Sequence, residues 1–133
     1  MQVYHTKNRK KFLIKLHVVL VTKYRKSLIS GSLDSDIKIW CSSICASLNC
    51  PVDVVETDKN HIHLLVDLTP ELSVSTLIKE IKRQSTYDIW KKYSFFLKQH
   101  FWKEKTFWSD GYFVCSTGDA STETIRNYIE TQG

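Results

Sequence analysis

Residues 52–68 read Val52-Asp-Val-Val-Glu56-Thr57-Asp58-Lys-Asn60-His61-Ile62-His63-Leu64-Leu65-Val66-Asp67-Leu68. The second half alternates: Ile62, Leu64, Val66 and Leu68 fall on one face of an extended chain, and His61, His63, Leu65 and Asp67 on the other. That predicts a strand over His61–Leu68 ending before Pro70, with one face against helices and a second face carrying two imidazoles. Val52–Glu56 predicts its partner strand, with Thr57–Asn60 as a four-residue hairpin turn.

Working outward, Phe12–Thr22 alternates in the same way. Phe12, Ile14, Leu16, Val18 and Leu20 share one face, and Lys15 and His17 the other. After the Lys23-Tyr-Arg-Lys26 turn, Gly31 and Ser32 make a helix entry. Ile37, Trp40, Cys41, Ile44 and Leu48 then form an amphipathic stripe that stops at Cys50-Pro51. Downstream, Val74, Leu77, Ile78 and Ile81 open a second helix expected to run to about Trp90. Residues 92–105 are aromatic and basic without a clean period and read as an irregular connection. Phe107–Ser116 predicts a fourth strand with Gly111 as a bulge, and Ser121–Gln132 a last helix. The order β-α-β-β-α-β is the ferredoxin-like pattern. The fold class expected is α+β, an antiparallel sheet with helices on one face and an appended C-terminal helix, as one domain over 1–133.

Composition agrees with an ordinary globular chain. Of the 133 residues 42% are hydrophobic and 25% charged, with four Gly and two Pro, which excludes disordered, collagen-like and Pro-rich classes. The apolar run Val18–Val21 is too short to span a membrane, and the first residues lack a signal-peptide pattern. Four unevenly spaced Cys then read as cytosolic thiols, so the expected location is cytoplasmic.

The net charge of +5 is unevenly spread. Residues 1–30 carry +8, 31–75 carry −5, 76–105 carry +5 and 106–133 carry −3. Two basic blocks in a small chain suit a polyanion, because neutralised phosphates release counterions. Lys10, Lys11, Lys23, Arg25, Lys26, Lys82 and Arg83 are the candidate phosphate contacts. Trp90, Tyr93, Phe95, Phe96, Phe101 and Trp102, interleaved with Lys91, Lys92, Lys98 and Lys103, suit base stacking. Core packing or an interface explains most of these aromatics equally well.

An isolated histidine is more often structural than a ligand. Two on one strand face, about 7 Å apart along the backbone, can converge on one metal ion. His17, on the corresponding face of the first strand, is a candidate neighbour with a structural role. Tyr128 and Gln132, one helical turn apart, share a face of the last helix, beside an Ile125/Ile129 stripe suited to docking on a sheet. A tyrosine hydroxyl is a poor nucleophile at neutral pH, because its ordinary pKa is about 10. A divalent ion on a phosphate offsets this by polarising the phosphoryl oxygen. Asp58 and Asp67 are nearby carboxylates that could serve an ion as outer partners or as ligands, although a turn Asp and an exposed strand Asp explain both better. Cys41, Cys45 and Cys50 with the histidines invite a zinc reading, but no C-x-x-C pair exists, and buried thiols fit better.

Taken together, Thr57-Asp-Lys-Asn-His61-Ile-His63-Leu-Leu and Asn127-Tyr128-Ile-Glu-Thr-Gln132 resemble the HUH-type single-tyrosine transposases of the insertion-sequence 200/605 family. Val21-Thr-Lys-Tyr24-Arg-Lys26 and the aromatic strand Phe107–Gly118 are also similar to segments of that family, so the resemblance covers nearly the whole chain. It implies an RRM-like sheet, a prokaryotic setting, and a homodimer in which the tyrosine helix of one subunit can serve the histidines of the other. It implies that His61, His63 and Gln132 bind a divalent ion, Mg2+ or Mn2+. Tyr128 would attack single-stranded DNA with hairpin ends, leaving a 5′-phosphotyrosine and a free 3′-OH. Gln132 falls in a final turn, where helices fray, so its grip on an ion depends on docking. The competing readings are a non-catalytic RRM-like binder of single-stranded nucleic acid, a Cys/His zinc protein, and a domesticated relative that processes genomic repeats. The binder would lack both metal dependence and a covalent adduct, and the sequence lacks the aromatic strand signature that such binders carry.

Overall fold

A computed structural model describes residues 4–7, 10–116 and 122–132. Among these residues six strands and three α-helices follow one another, with a short 3-10 turn at Lys23–Arg25: β1 (His5–Lys7), β2 (Lys10–Phe12), β3 (Lys15–Val21), α1 (Gly31–Ser47), β4 (Val52–Asp58), β5 (His61–Asp67), α2 (Val74–Lys98), β6 (Phe113–Ser116) and α3 (Thr122–Thr131). The main sheet is antiparallel with order β4-β5-β3-β6. Numbered within the βαββαβ unit, that is second, third, first, fourth, the ferredoxin-like arrangement.

Alternation decides which face meets the helices. Leu16, Val18 and Leu20 on β3 and Ile62, Leu64 and Val66 on β5 are buried and form one core with α1 and α2. Helix α1 contributes Leu33, Ile37, Cys41, Ile44 and Cys45; helix α2 contributes Leu77, Ile78, Ile81, Ile89, Trp90 and Leu97. Ser73 caps α2 by accepting from the Thr76 amide at 3.1 Å. The opposite face is lined by Lys15, His17, Val19 and Val21 of β3, the residues paired with them on β5, and Phe113 and Cys115 of β6. Helix α3 lies over this second face, with the Tyr128 ring on Phe113 at 5.6 Å between centroids.

Four expectations need correction. Phe12 is not part of the first core strand; it ends β2, which pairs with β1 in a separate two-stranded sheet. The β4–β5 connection is a two-residue turn, Lys59-Asn60, because Thr57 and Asp58 still pair with Ile62 and His61. Helix α2 runs to Lys98 instead of ending near Trp90. Trp90 and Leu97, two turns apart, keep one face buried, while the exposed Phe95 and a break at Tyr93 (φ −117°, ψ 26°) blur the period in the sequence. The fourth strand is interrupted: Trp108 bridges Thr22, but regular pairing resumes only at Phe113 opposite Val19. Three steps along β3 face five along the other strand, so two extra residues bulge around Gly111. The start expected for the last helix, Ser121, lies outside the described residues.

Candidate active site

The hairpin register builds the histidine side. Glu56 stands opposite His63 and Asp58 opposite His61, so a two-residue turn brings both carboxylates to the histidine face. His17, His61, His63, Glu56, Thr57, Asp58 and Ile125 of α3 line one cleft. The Nδ1 of His61 is 3.0 Å from Asn60 Oδ1; donating there leaves Nε2 as a free lone pair, the arrangement a metal ligand needs. His63 Nε2 is 2.8 Å from His17 Nδ1, with the rings stacked at 5.0 Å between centroids. Glu56 lies 3.9 Å from His63 Nδ1.

Burial lowers the pKa of both histidines. For His61 the Asp58 carboxylate partly opposes this; for His63 burial is reinforced by His17 and opposed by Glu56. The neutral form, which can ligate, is therefore favoured. Among the described residues no three His, Cys, Asp or Glu side chains converge to hold an ion.

The tyrosine side stands on the same face. Val21 pairs with His61 on one flank, and its carbonyl accepts from the Ser109 amide at 2.8 Å on the other. Two strand spacings put the His61 and Ser109 backbones about 10 Å apart. Ser109 Oγ lies 3.4 Å from Gln132 Oε1. A Cβ at Gly111 would lie 3.0 Å from Gln132 Oε1 and 3.4 Å from the Tyr128 hydroxyl. The polar tips of Tyr128, in the last turn of α3, and of Gln132, one residue beyond it, thus meet over a backbone without a side chain. The Tyr128 hydroxyl is buried with no hydrogen-bond partner, the one such side-chain atom among the described residues, and burial pushes its pKa up to about 12. Arg25 donates to the Glu130 carbonyl and Gln132 N to the Ile129 carbonyl, which hold the end of α3 in place.

By type these donors suit a divalent ion, with an imidazole at His61, an amide oxygen at Gln132, and His63 Nε2 once its bond to His17 opens, but Gln132 lies against Ser109 and is not among the residues lining the histidine cleft. The other expected residues are placed as follows. Asp58 joins the histidine cleft, but Asp67 sits at the far end of β5, 2.6 Å from Lys15 Nζ. Lys23 pairs with Asp110, Lys26 stands over the Phe101 ring, and Arg83 is held bidentately by Glu80 at 2.8 Å. Lys82 turns its ammonium to three backbone carbonyls. Lys10 and Lys11 fall in β2, with their side chains outside the described residues. Cys41, Cys45 and Cys50 are buried thiols, with Cys45 pushed up to about 12 by burial. Asn60, Glu56, Ser109 and Gly111 were not singled out as site residues from the sequence. The hairpin register would have found Glu56; Ser109 and Gly111 depend on where α3 docks.

The chain thus pairs a ferredoxin-like sheet carrying histidines on an inner strand with a C-terminal helix that bears Tyr128 and is followed by Gln132. The chain belongs to the IS200-like transposase family, whose model matches residues 10–132. It is 26% identical over 118 residues to the transposase for insertion sequence element IS200 of Salmonella typhimurium, covering 89% of this chain and 76% of that protein. It is 25% identical over 121 residues to the ISDra2 transposase TnpA of Deinococcus radiodurans, covering 91% and 85%. A solved structure assigned as a transposase from Deinococcus radiodurans superimposes with a TM-score of 0.87 at 20% identity, over 96% of this chain and 97% of that one. A REP-associated tyrosine transposase bound to a REP hairpin shares the fold at TM-score 0.56 and 12% identity, over 94% and 69%.

Proposed function

We propose that this transposase cuts and rejoins single-stranded DNA at hairpin ends, with Tyr128 as nucleophile and a 5′-phosphotyrosine as the intermediate. The observation that carries this reading is the Tyr128 hydroxyl, buried without a partner beside Gln132 on the face that bears His61 and His63. A buried hydroxyl without a bond is costly, and functional sites are where such groups are kept. A phosphate oxygen brought beside the hydroxyl would supply the missing partner.

In the first step Tyr128 Oη attacks the phosphorus, the P–O3′ bond breaks, the phenolic proton leaves to solvent and the departing 3′ oxygen takes one up. The strand is left as a 5′-phosphotyrosine and a free 3′-OH. In the second step the 3′-OH of another strand attacks, the P–Oη bond breaks and Tyr128 recovers its proton. The phosphodiester energy is kept in the tyrosyl ester, so joining needs no outside source. Because Tyr128 is pushed up to about 12, it is protonated at neutral pH and needs electrostatic help. His61, His63 and Gln132 would hold a divalent ion, which when bound polarises the phosphoryl oxygen and offsets the developing charge. Two imidazoles lean toward Mn2+ over Mg2+ by softness. Asn60 Oδ1, accepting from His61 Nδ1, would fix the His61 tautomer that ligates through Nε2. Asp58 and Glu56 add negative charge beside the histidines.

The relative bound to a REP hairpin supports hairpin ends as the substrate, and the basic blocks support a nucleic acid partner. The reading includes a homodimer, in which α3 of one subunit can serve the histidines of the other, as the family resemblance implies. The test is a denaturing gel after mixing the protein with labelled single-stranded oligonucleotides from its locus ends and Mg2+ or Mn2+. A slow covalent species, lost with chelator and in Tyr128→Phe, is expected. Cleavage that persists in Tyr128→Phe would remove Tyr128 as nucleophile, and binding with no adduct at the true ends would favour a non-catalytic binder.

A further inference from the structure

We propose that Lys82 is a positioning residue for the reaction, setting where Tyr128 and Gln132 sit by gripping the Ser109–Gly111 bulge beneath them. The inference rests on the reading above, in which Tyr128 attacks and Gln132 ligates.

An ammonium has three donors in a tripod. Lys82 Nζ donates to three consecutive carbonyls, Ser109 at 2.9 Å, Asp110 at 3.1 Å and Gly111 at 2.8 Å. The backbone there curls around the cation just where the ladder to β3 has two residues too many. The opposite side of the same three residues is the floor under α3: Ser109 Oγ reaches Gln132 Oε1, and Gly111 offers no Cβ to the Tyr128 hydroxyl and Gln132 Oε1. One segment therefore has a lysine on one side and the proposed nucleophile and ligand on the other.

The grip is anchored in the core. Lys82 follows the buried Ile81 on α2, and one turn on, Ser85 Oγ accepts from Trp108 Nε1 at 2.9 Å, pinning the residue that precedes the bulge. Burial lowers the pKa of Lys82, with Asp110 opposing and Lys23 reinforcing the shift, as expected for a half-buried ammonium committed to carbonyls. The sequence alone suggests a phosphate contact for this lysine, but its donors point into the protein. The tripod also separates the two roles. Arginine keeps the charge and serves a phosphate at least as well, yet its planar fork cannot reproduce three converging bonds.

The experiment compares Lys82→Arg, Lys82→Met and Gly111→Ala with the unchanged protein, and uses Gln132→Ala as control. Three quantities are read: Mn2+ affinity by calorimetry without DNA, affinity for an uncut end oligonucleotide in chelator, and hydrogen exchange of residues 123–132. Both Lys82 variants and Gly111→Ala are expected to weaken Mn2+ by about 10-fold or more, the usual effect of losing a residue that orients a ligand. They should speed exchange in α3 selectively and leave the oligonucleotide affinity within about 2-fold, since no phosphate contact is lost. Gly111 has no positive φ, and the nearest atoms an added Cβ would meet belong to Gln132 and Tyr128, so Gly111→Ala reports what displacing the floor does to them, while the charge-keeping Lys82→Arg keeps the test open if Lys82→Met folds poorly. Wild-type behaviour of Lys82→Arg, with Lys82→Met losing only oligonucleotide affinity, would make Lys82 a phosphate contact and overturn the proposal. Unchanged α3 exchange in both Lys82 variants would overturn it as well, whatever Gly111→Ala does. If Gln132→Ala leaves Mn2+ affinity unaltered, the assignment of Gln132 as ligand falls, and the exchange data still decide the role of Lys82.

Discussion

Replacing Tyr128 with phenylalanine should make the protein more stable while abolishing its chemistry. The substitution keeps the ring on Phe113 and deletes one oxygen, which is buried without a hydrogen-bond partner. An unsatisfied buried hydroxyl costs about 1–3 kcal/mol. The lower end applies here, because the ring is only partly buried and α3 is a short helix that can shift to wet the group. A gain of about 1 kcal/mol corresponds to about 3–6 °C in Tm for a chain between the small and mid-sized domains for which the scaling is known. The assay is thermal and urea unfolding of wild type and variant at one pH without metal or DNA. Tyr93→Phe is the matched control: its hydroxyl bonds Ser32 and Asp36, so its removal should cost about 1 kcal/mol. A Tyr128→Phe protein less stable than wild type by more than about 0.5 kcal/mol, the usual spread of a neutral surface change, would refute the reasoning. It would mean that the hydroxyl has a partner in the free protein.

Three further outcomes are expected. The pKa values of His61 and His63 are lowered by burial, so the unfolded chain binds more protons as pH falls below about 6.5. Stability should therefore drop through that window, and a His61→Gln/His63→Gln double variant should show a shallower drop in urea midpoint; equal slopes would contradict the lowered values. Trp102, three-quarters exposed, should be quenched by single-stranded DNA, and Trp102→Ala should weaken binding by about 10-fold, the effect of one stacked base; unchanged affinity would exclude it from the DNA path. Leu64→Ala, in the fully buried centre of β5, should cost about 2–5 kcal/mol in urea unfolding; a cost under about 1 kcal/mol would contradict the core assignment.

Much of the fold was legible because period-2 alternation is a property of the strand itself. The faces of β3 and β5 and the inward stripe of α1 follow directly from residue spacing. The end of α2 did not, since exposed aromatics such as Phe95 break the apolar stripe while Leu97 still packs in the core. The histidine pair, and Tyr128 with Gln132 on the last helix, could each be grouped locally. What joins the two groups is tertiary: α3 docks on the second face, and a bulge brings Gly111 under Tyr128. Gly111 was readable as a bulge, but the lysine that shapes the bulge lies 29 residues away on α2, and its sequence context is that of a surface cation.

The most direct test of the central claim is the chemical identity of the DNA-bound residue. The protein is incubated with an end oligonucleotide and Mn2+, then digested with nuclease and trypsin, and the peptide that begins at Asn127 is analysed by mass spectrometry. The account predicts a nucleotide 5′-phosphate carried on Tyr128 in that peptide, absent when chelator is present. A nucleotide on any other residue, or cleaved DNA with the Tyr128 peptide unmodified under conditions that trap the intermediate, would contradict it.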